Sequence, residues 1–98
     1  MGAVEEPLSE FRLSALSGEP LRDGPTRAMV ESSARALAER EGLFLTELEL
    51  GAAHVAGRLR ADEVAALGFA AELRRLTNAW YERRYRDGPL WGTPAPGE

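Results

Sequence analysis

The stretch from Ala61 to Asp87, ADEVAALGFAAELRRLTNAWYERRYRD, constrains this chain more than any other. It falls in the long proline-free run between Pro25 and Pro89, and Gly68 is its only glycine. Phe69, Leu73, Leu76 and Trp80 recur at i, i+4, i+7 and i+11, the spacing of one helical face. A single helix over this range would be about 40 Å long, at roughly 1.5 Å per residue. In a chain of 98 residues, such a helix has to be the spine against which shorter elements pack.

The length sets one small domain that buries only about two-thirds of its unfolded surface. Hydrophobic residues make up 44% and charged residues 29%, a balance suited to a folded domain rather than a disordered tail. There is no cysteine, which excludes disulfides, thiolate metal sites and thiol redox chemistry. The opening MGAVEEPLSE is acidic and lacks the apolar core of a secretory signal. No run reaches the roughly 18 apolar residues of a membrane span. A cytoplasmic location is therefore expected. All twelve basic residues are arginine, and the net charge is −4. Such an acidic total disfavours nucleic acid as a partner, although a local arginine face remains available.

Along the chain, the expected architecture is all-α: a small three-helix bundle with a variable N-terminal arm and a Pro/Gly-rich tail. Residues 1–25 read as the arm. Within it PLSEFRLSALSG is compatible with a short helix carrying Leu8, Phe11 and Leu16 and stopped at Gly18. The first helix of the bundle, which covers residues 26–88, starts at a Thr26 N-cap and ends at Gly42, a favoured left-handed C-cap. A second helix is expected from Thr46, where Thr46 and Glu49 have the spacing of a capping box. Leu45, Leu48, Ala52, Val55 and Leu59 then recur with a period near 3.6. The spine follows, with Asp62 and Glu63 in its first turn. Residues 89–98, rich in proline and glycine, are expected to be flexible, with Leu90 and Trp91 forming an apolar hook.

Catalytic chemistry finds no constellation in this sequence. His54 is the only histidine, no HExxH motif surrounds it, and a structural or surface role is the expectation. Glu39, Glu41, Glu47 and Glu49 lack the loop spacing of a hard-metal site and suit dipole compensation and solvation. No glycine-rich phosphate loop or nucleophile elbow is present. We therefore expect no enzyme activity, cofactor or metal. The stretch that asks for an explanation is the end of the spine, where arginines alternate with Trp80, Tyr81 and Tyr85. Tyrosine, tryptophan and arginine are over-represented at binding hot spots. Tyr81, Arg84, Tyr85, Leu90 and Trp91 are the expected contact surface for another protein, either a larger partner or a second copy.

Two resemblances bear on this expectation. ELRRLTNAWYERRYRDG resembles the end of a bacterial helical domain of unknown function that often follows the last membrane span of transglutaminase-like membrane proteins. Leu76, Thr77, Tyr81, Glu82, Arg83, Arg84 and Tyr85 stand in comparable order, with Thr46 and Glu49 matching a helix start upstream. The proline usual after the threonine, and the membrane spans, are missing from this chain. The resemblance implies a helical cytoplasmic accessory module without activity. DEVAALGF and RRYRDGPL are similar to parts of transposase-type helix-turn-helix domains, which would place Arg74 and Arg75 against the major groove of DNA. An adaptor or regulatory subunit is the leading expectation, and a DNA-binding module is the alternative.

Overall fold

A computed structural model describes residues 7–86 and 88–92, and the architecture it shows is mixed α/β rather than a helical bundle. Strand β1 covers Leu8–Ser14, helix α1 Gly24–Glu41, strand β2 Phe44–Leu50, strand β3 His54–Arg60 and helix α2 Glu63–Tyr85. A single 3-10 turn, Pro20–Arg22, precedes α1. The three strands form one sheet in the order β1-β3-β2, with β3 antiparallel to both neighbours. β1 and β2 are therefore parallel strands split by β3, with α1 as their crossover. Both helices lie on one face of the sheet, α1 over β2 and α2 over β1. Between them and the sheet lies a core that includes Phe11, Leu13, Val30, Ala34, Leu37, Val55, Leu59, Phe69 and Leu73.

The expected second helix is the β2–β3 hairpin, and its physics explains the misleading period. Leu45, Leu48 and Leu50 all pack against the core, although strict alternation cannot put Leu45 and Leu48 on one side. A bulge between Leu45 and Glu47 inserts one extra residue, so a spacing of three in sequence becomes two in the ladder. On β3 the inward positions are Val55, Gly57 and Leu59. A Cβ at Gly57 would come within 2.6 Å of the Phe11 ring, so the central inward residue is a glycine and the alternation looks broken. Thr46 caps no helix. Its hydroxyl instead donates to the Arg58 carbonyl across the hairpin at 3.1 Å.

The N-terminal arm likewise holds a strand, Leu8–Ser14. Phe11 and Leu13 point into the core, while Leu8, Glu10, Arg12 and Ser14 face out, the two-residue period of a half-buried strand. Residues 1–6 of the expected arm lie outside the described residues.

The two helices fall where the pattern placed them. α1 is capped by Asp23 rather than Thr26, the Asp23 carboxylate accepting from the Thr26 amide at 3.2 Å. It ends at Gly42 in the left-handed conformation, φ 69°. α2 is capped by Asp62, which accepts from the Ala65 amide at 2.8 Å, and runs unbroken through Gly68 to Tyr85. Its buried line is Ala66, Phe69, Leu73 and Thr77. Leu76 and Trp80, expected on that line, are only half-buried on its flank. No helix among the described residues is long and apolar enough to cross a membrane.

Candidate functional site

The end of α2 carries the residues singled out as a contact surface, and the structure separates them into two groups. Tyr81, Arg84 and Tyr85 stay on the helix, where Arg84 and Tyr85 are exposed and Tyr81 is half-buried. The Tyr81 and Tyr85 rings lie 4.9 Å apart, and the Trp80 ring stands edge-on to Tyr85 at 6.2 Å. Arg84 spreads its guanidinium over both Trp80 and Tyr85, at 5.4 and 5.5 Å from their centroids. Such stacking holds a cation against aromatic faces while leaving part of its hydrogen-bonding edge to solvent.

Tyr85 also ties this surface to the start of α1. Its hydroxyl donates to Asp23 Oδ2 at 2.5 Å, and the Thr26 hydroxyl donates to the same oxygen at 2.6 Å. These hydrogen bonds, that from Thr26 foremost and that from Tyr85 next, hold the Asp23 carboxyl below its ordinary range. One carboxylate therefore caps α1 and clamps the last turn of α2.

Leu90 and Trp91 belong to the other group and lie inside the molecule, 2% and 1% exposed. Of the tail expected over 89–98, residues 93–98 lie outside the described residues. The chain turns back after α2, and Asn78 Oδ1 accepts from the amides of both Leu90 and Trp91, at 2.8 and 3.0 Å. The Trp91 indole donates to the Thr77 hydroxyl at 2.7 Å, which donates in turn to the Leu73 carbonyl at 2.7 Å. This chain satisfies the polar atoms of a buried threonine and a buried tryptophan together. On the strand side, Leu16 donates to the Leu90 carbonyl and Gly92 to the Ser14 carbonyl, both at 3.0 Å. Leu90–Gly92 thus starts a fourth strand beside the end of β1. No partner can reach Leu90 or Trp91 in this arrangement.

Asn78 and Thr77 were the residues that pattern reading passed over. A threonine on a helix's apolar line, followed by an asparagine, is a weak cue that something polar docks there.

The outer face of the sheet offers the second candidate, an open concavity of about 770 Å³ lined by Glu10, Arg12, Glu47, Glu49, Ala56 and Arg58 among others. Its charges compensate one another. Arg58 bridges Glu10 at 2.8 Å and Glu47 at 3.3 Å, and the Glu10 hydrogen bond, with the charge of Glu47 behind it, raises the Arg58 pKa. His54 Nε2 lies 2.9 Å from Glu49 Oε1, and its ring covers Gly51, where a Cβ would come within 2.3 Å. The histidine thereby fixes the hairpin turn. Among the described residues, no group of three or more His, Asp or Glu side chains is placed to share a metal ion.

Arg74 and Arg75 complete the sequence-derived candidates. Arg75 forks onto Glu72 with two bonds of 2.7 Å, and Arg40 of α1 reaches the same carboxylate at 3.2 Å. Glu72 is held down to about 2, with the Arg75 hydrogen bonds as the main cause. Gly68 sits inside a continuous helix, so DEVAALGF contains no turn between two helices. The helix-turn-helix geometry that would present Arg74 and Arg75 to DNA is absent from this segment.

No protein-family model and no curated protein matches the chain.

Proposed function

We propose that this chain is a non-catalytic adaptor or regulatory subunit that binds another protein through the exposed end of α2. The observation that carries the reading is Arg84 laid across Trp80 and Tyr85, on a helix end already fixed by Asp23 and by the Asn78 clamp. A surface of this kind loses little conformational freedom when it is covered, because its long side chains are ordered beforehand. Arg83 and Arg86 flank it, and α2 ends there with its negative dipole turned toward them. The partner this surface suits presents carboxylates to Arg84 and an apolar or aromatic group to the Tyr81–Tyr85 pair. Leu90 and Trp91 serve the surface from behind, by bracing the helix that displays it.

The test pairs a titration with a fold check. Protein captured from the native host on the wild-type chain is purified and titrated against Arg84→Ala. A loss of at least about 2 kcal/mol, the hot-spot scale, with unchanged circular dichroism, supports the reading. Full affinity in the Arg84→Ala chain places the contact elsewhere.

A further inference from the structure

The sheet has two edges, and they are finished differently. At β2 the Leu50 carbonyl is taken by Arg27 Nη2 at 2.7 Å, and the bulge at Leu45/Glu47 disrupts the edge further on. Side-chain caps and bulges are the ordinary means of blunting an edge strand. β1 has neither. Its register with β3 is continuous from Leu8 to Ser14. Ala15 donates to the Ala53 carbonyl at 2.8 Å, which sets the alternation of the ladder. The backbone groups of residues 9, 11 and 13 therefore bond β3, and those of Leu8, Glu10, Arg12 and Ser14 point away from it. Gly92 already uses the Ser14 carbonyl. Among the described residues, nothing pairs with the outward N–H and C=O groups of Leu8, Glu10 and Arg12.

The chain's own tail is a poor candidate to continue the fourth strand. In the register set by Gly92 and Ser14, positions 94 and 96 would face Arg12 and Glu10. Both are proline, which has no N–H to donate. A second copy pairing through its own β1 is also excluded by space. α2 lies over β1, and its Thr77 and Asn78 reach out to the strand beyond it. Two β1 strands about 4.8 Å apart would bring two such helices together far inside the 8–10 Å that packed helices need.

What fits is a bare strand. We propose that the β1 edge, from Leu8 to Leu13, accepts an extended peptide of a partner protein as an antiparallel fourth strand, continuing the place begun by Leu90–Gly92. The side chains beside that place specify its chemistry. On the outer face the peptide presents a carboxylate opposite Arg12 and, two residues later, a cation opposite Glu10; that cation would share the Glu10 carboxylate with Arg58 on the β3 side. Its alternate residues point to the helix side. There Leu67, Ala71, Arg74 and Asn78 share one face of α2 by their spacing, and Leu67 is 59% exposed. Apolar residues suit those positions. The last five residues of β1, EFRLS, have this pattern when read antiparallel and leave Gly92 its place at Ser14, which makes an N-acetylated peptide of that sequence a convenient probe.

The proposal is independent of the aromatic–arginine surface, and Arg84→Ala is expected to leave peptide binding unchanged. The experiment titrates N-acetylated EFRLS, fluorescently labelled at its C-terminus, with the full chain and follows amide exchange by NMR. Saturable binding is expected, with slowed exchange at Glu10 and Arg12 and none at Leu48 on the other edge. A peptide N-methylated at its Glu and Arg should not bind, because those two amides make the ladder. Exchanging the charges in the protein, Glu10→Arg with Arg12→Glu, should weaken binding about tenfold, the scale of two cross-strand charge pairs. The same peptide with Glu and Arg exchanged should restore it. Where that double variant does not fold, the N-methylated peptide on the wild-type chain decides. Absence of saturable binding, full binding of the N-methylated peptide, or protection away from β1 overturns the proposal. Self-association of the peptide-free chain that protects Glu10 and Arg12 overturns it in favour of a second copy.

Discussion

The molecule carries two tryptophans in two settings that exchange the roles their sequence positions suggest. Trp80 sits on the longest helix, at the end of a spaced apolar line, and is half-buried beneath an arginine. Trp91 sits among prolines and glycines, three residues past the glycine that follows the helix, and is among the least exposed side chains of the molecule. The difference lies in what each ring can reach. α2 covers the sheet with the line Ala66, Phe69, Leu73 and Thr77, and by Trp80 the i+3/i+4 progression has turned off the sheet. Trp91, carried on a segment bridged to Ala15, lies buried beside Thr77, to which its indole donates. A buried position depends on which neighbours the topology supplies, and local periodicity reports only one of them.

The contrast is broken or kept most directly by truncating each ring. Trp91→Ala should destabilise the chain by about 3–5 kcal/mol, the range for a buried aromatic that leaves a cavity. It also strands the Thr77 hydroxyl without its donor. Trp80→Ala should cost only about 1 kcal/mol, from partial burial and the lost stacking with Arg84. Urea unfolding of both variants measures the difference. Equal losses would mean that Trp80 is as much a core residue as Trp91.

Asn78 tests whether the tail is held by its clamp or by the ring alone. Its side chain is the acceptor for two amides at once, those of Leu90 and Trp91. Asn78→Ala leaves both donors unpaired in a half-buried place, at a cost of about 1–3 kcal/mol. Asn78→Asp keeps an acceptor there and should recover most of the loss. A stability for Asn78→Ala within about 0.5 kcal/mol of wild type would show that packing of Trp91 alone secures the segment.

The two helices were legible in the sequence, though not the Asp23 cap of α1, and the Thr46 capping box belongs to a strand. Gly42 and the acidic start of α2 are read from a few neighbouring residues, and tertiary packing leaves them in place. The sheet was hidden for three separate reasons. β1 has only two inward apolar residues, Phe11 and Leu13, between polar neighbours. β2 carries a bulge that turns a period of two into an apparent three. β3 replaces its central inward side chain with Gly57, because the Phe11 ring from the next strand fills that space. The last depends on a contact between segments more than 30 positions apart, Gly57 with Phe11, and a window along one segment cannot contain it. For the contact surface, the sequence identified Tyr81, Arg84 and Tyr85 as neighbours along the helix. It could not reveal that Leu90 and Trp91 lie behind that helix, because the turn back is secured by Asn78, whose role appears only once the tail is docked.

Acid should separate the two regions in the gentlest way. The Trp91 clamp is made of an indole, a hydroxyl, an amide oxygen and backbone amides, and none of these titrates between neutral and strongly acid pH. The Trp80 region is tied down by Tyr85, whose hydroxyl donates to the Asp23 carboxylate. Hydrogen bonds from Thr26 and Tyr85 favour the charged form of that carboxylate, so its folded-state pKa lies below the ordinary 3.8. A depressed carboxyl pKa contributes stability that is fully present above the ordinary value and is lost as pH falls through the folded one. Asp23 therefore contributes no change from pH 7 down to about 4. Below that, protonation of Asp23 weakens the caps on α1 and releases the last turn of α2. Glu72, held at about 2 by Arg75 and Arg40, loosens the seam between the helices as pH falls through that value. The indole N–H signals of the two tryptophans in the NMR spectrum of the wild-type chain report each region separately. The Trp80 signal should shift first as Asp23 titrates, with the Trp91 signal unmoved until the whole domain opens. If both signals move together from the first, the two anchors open as one unit and the difference between them has no consequence for how the fold comes apart.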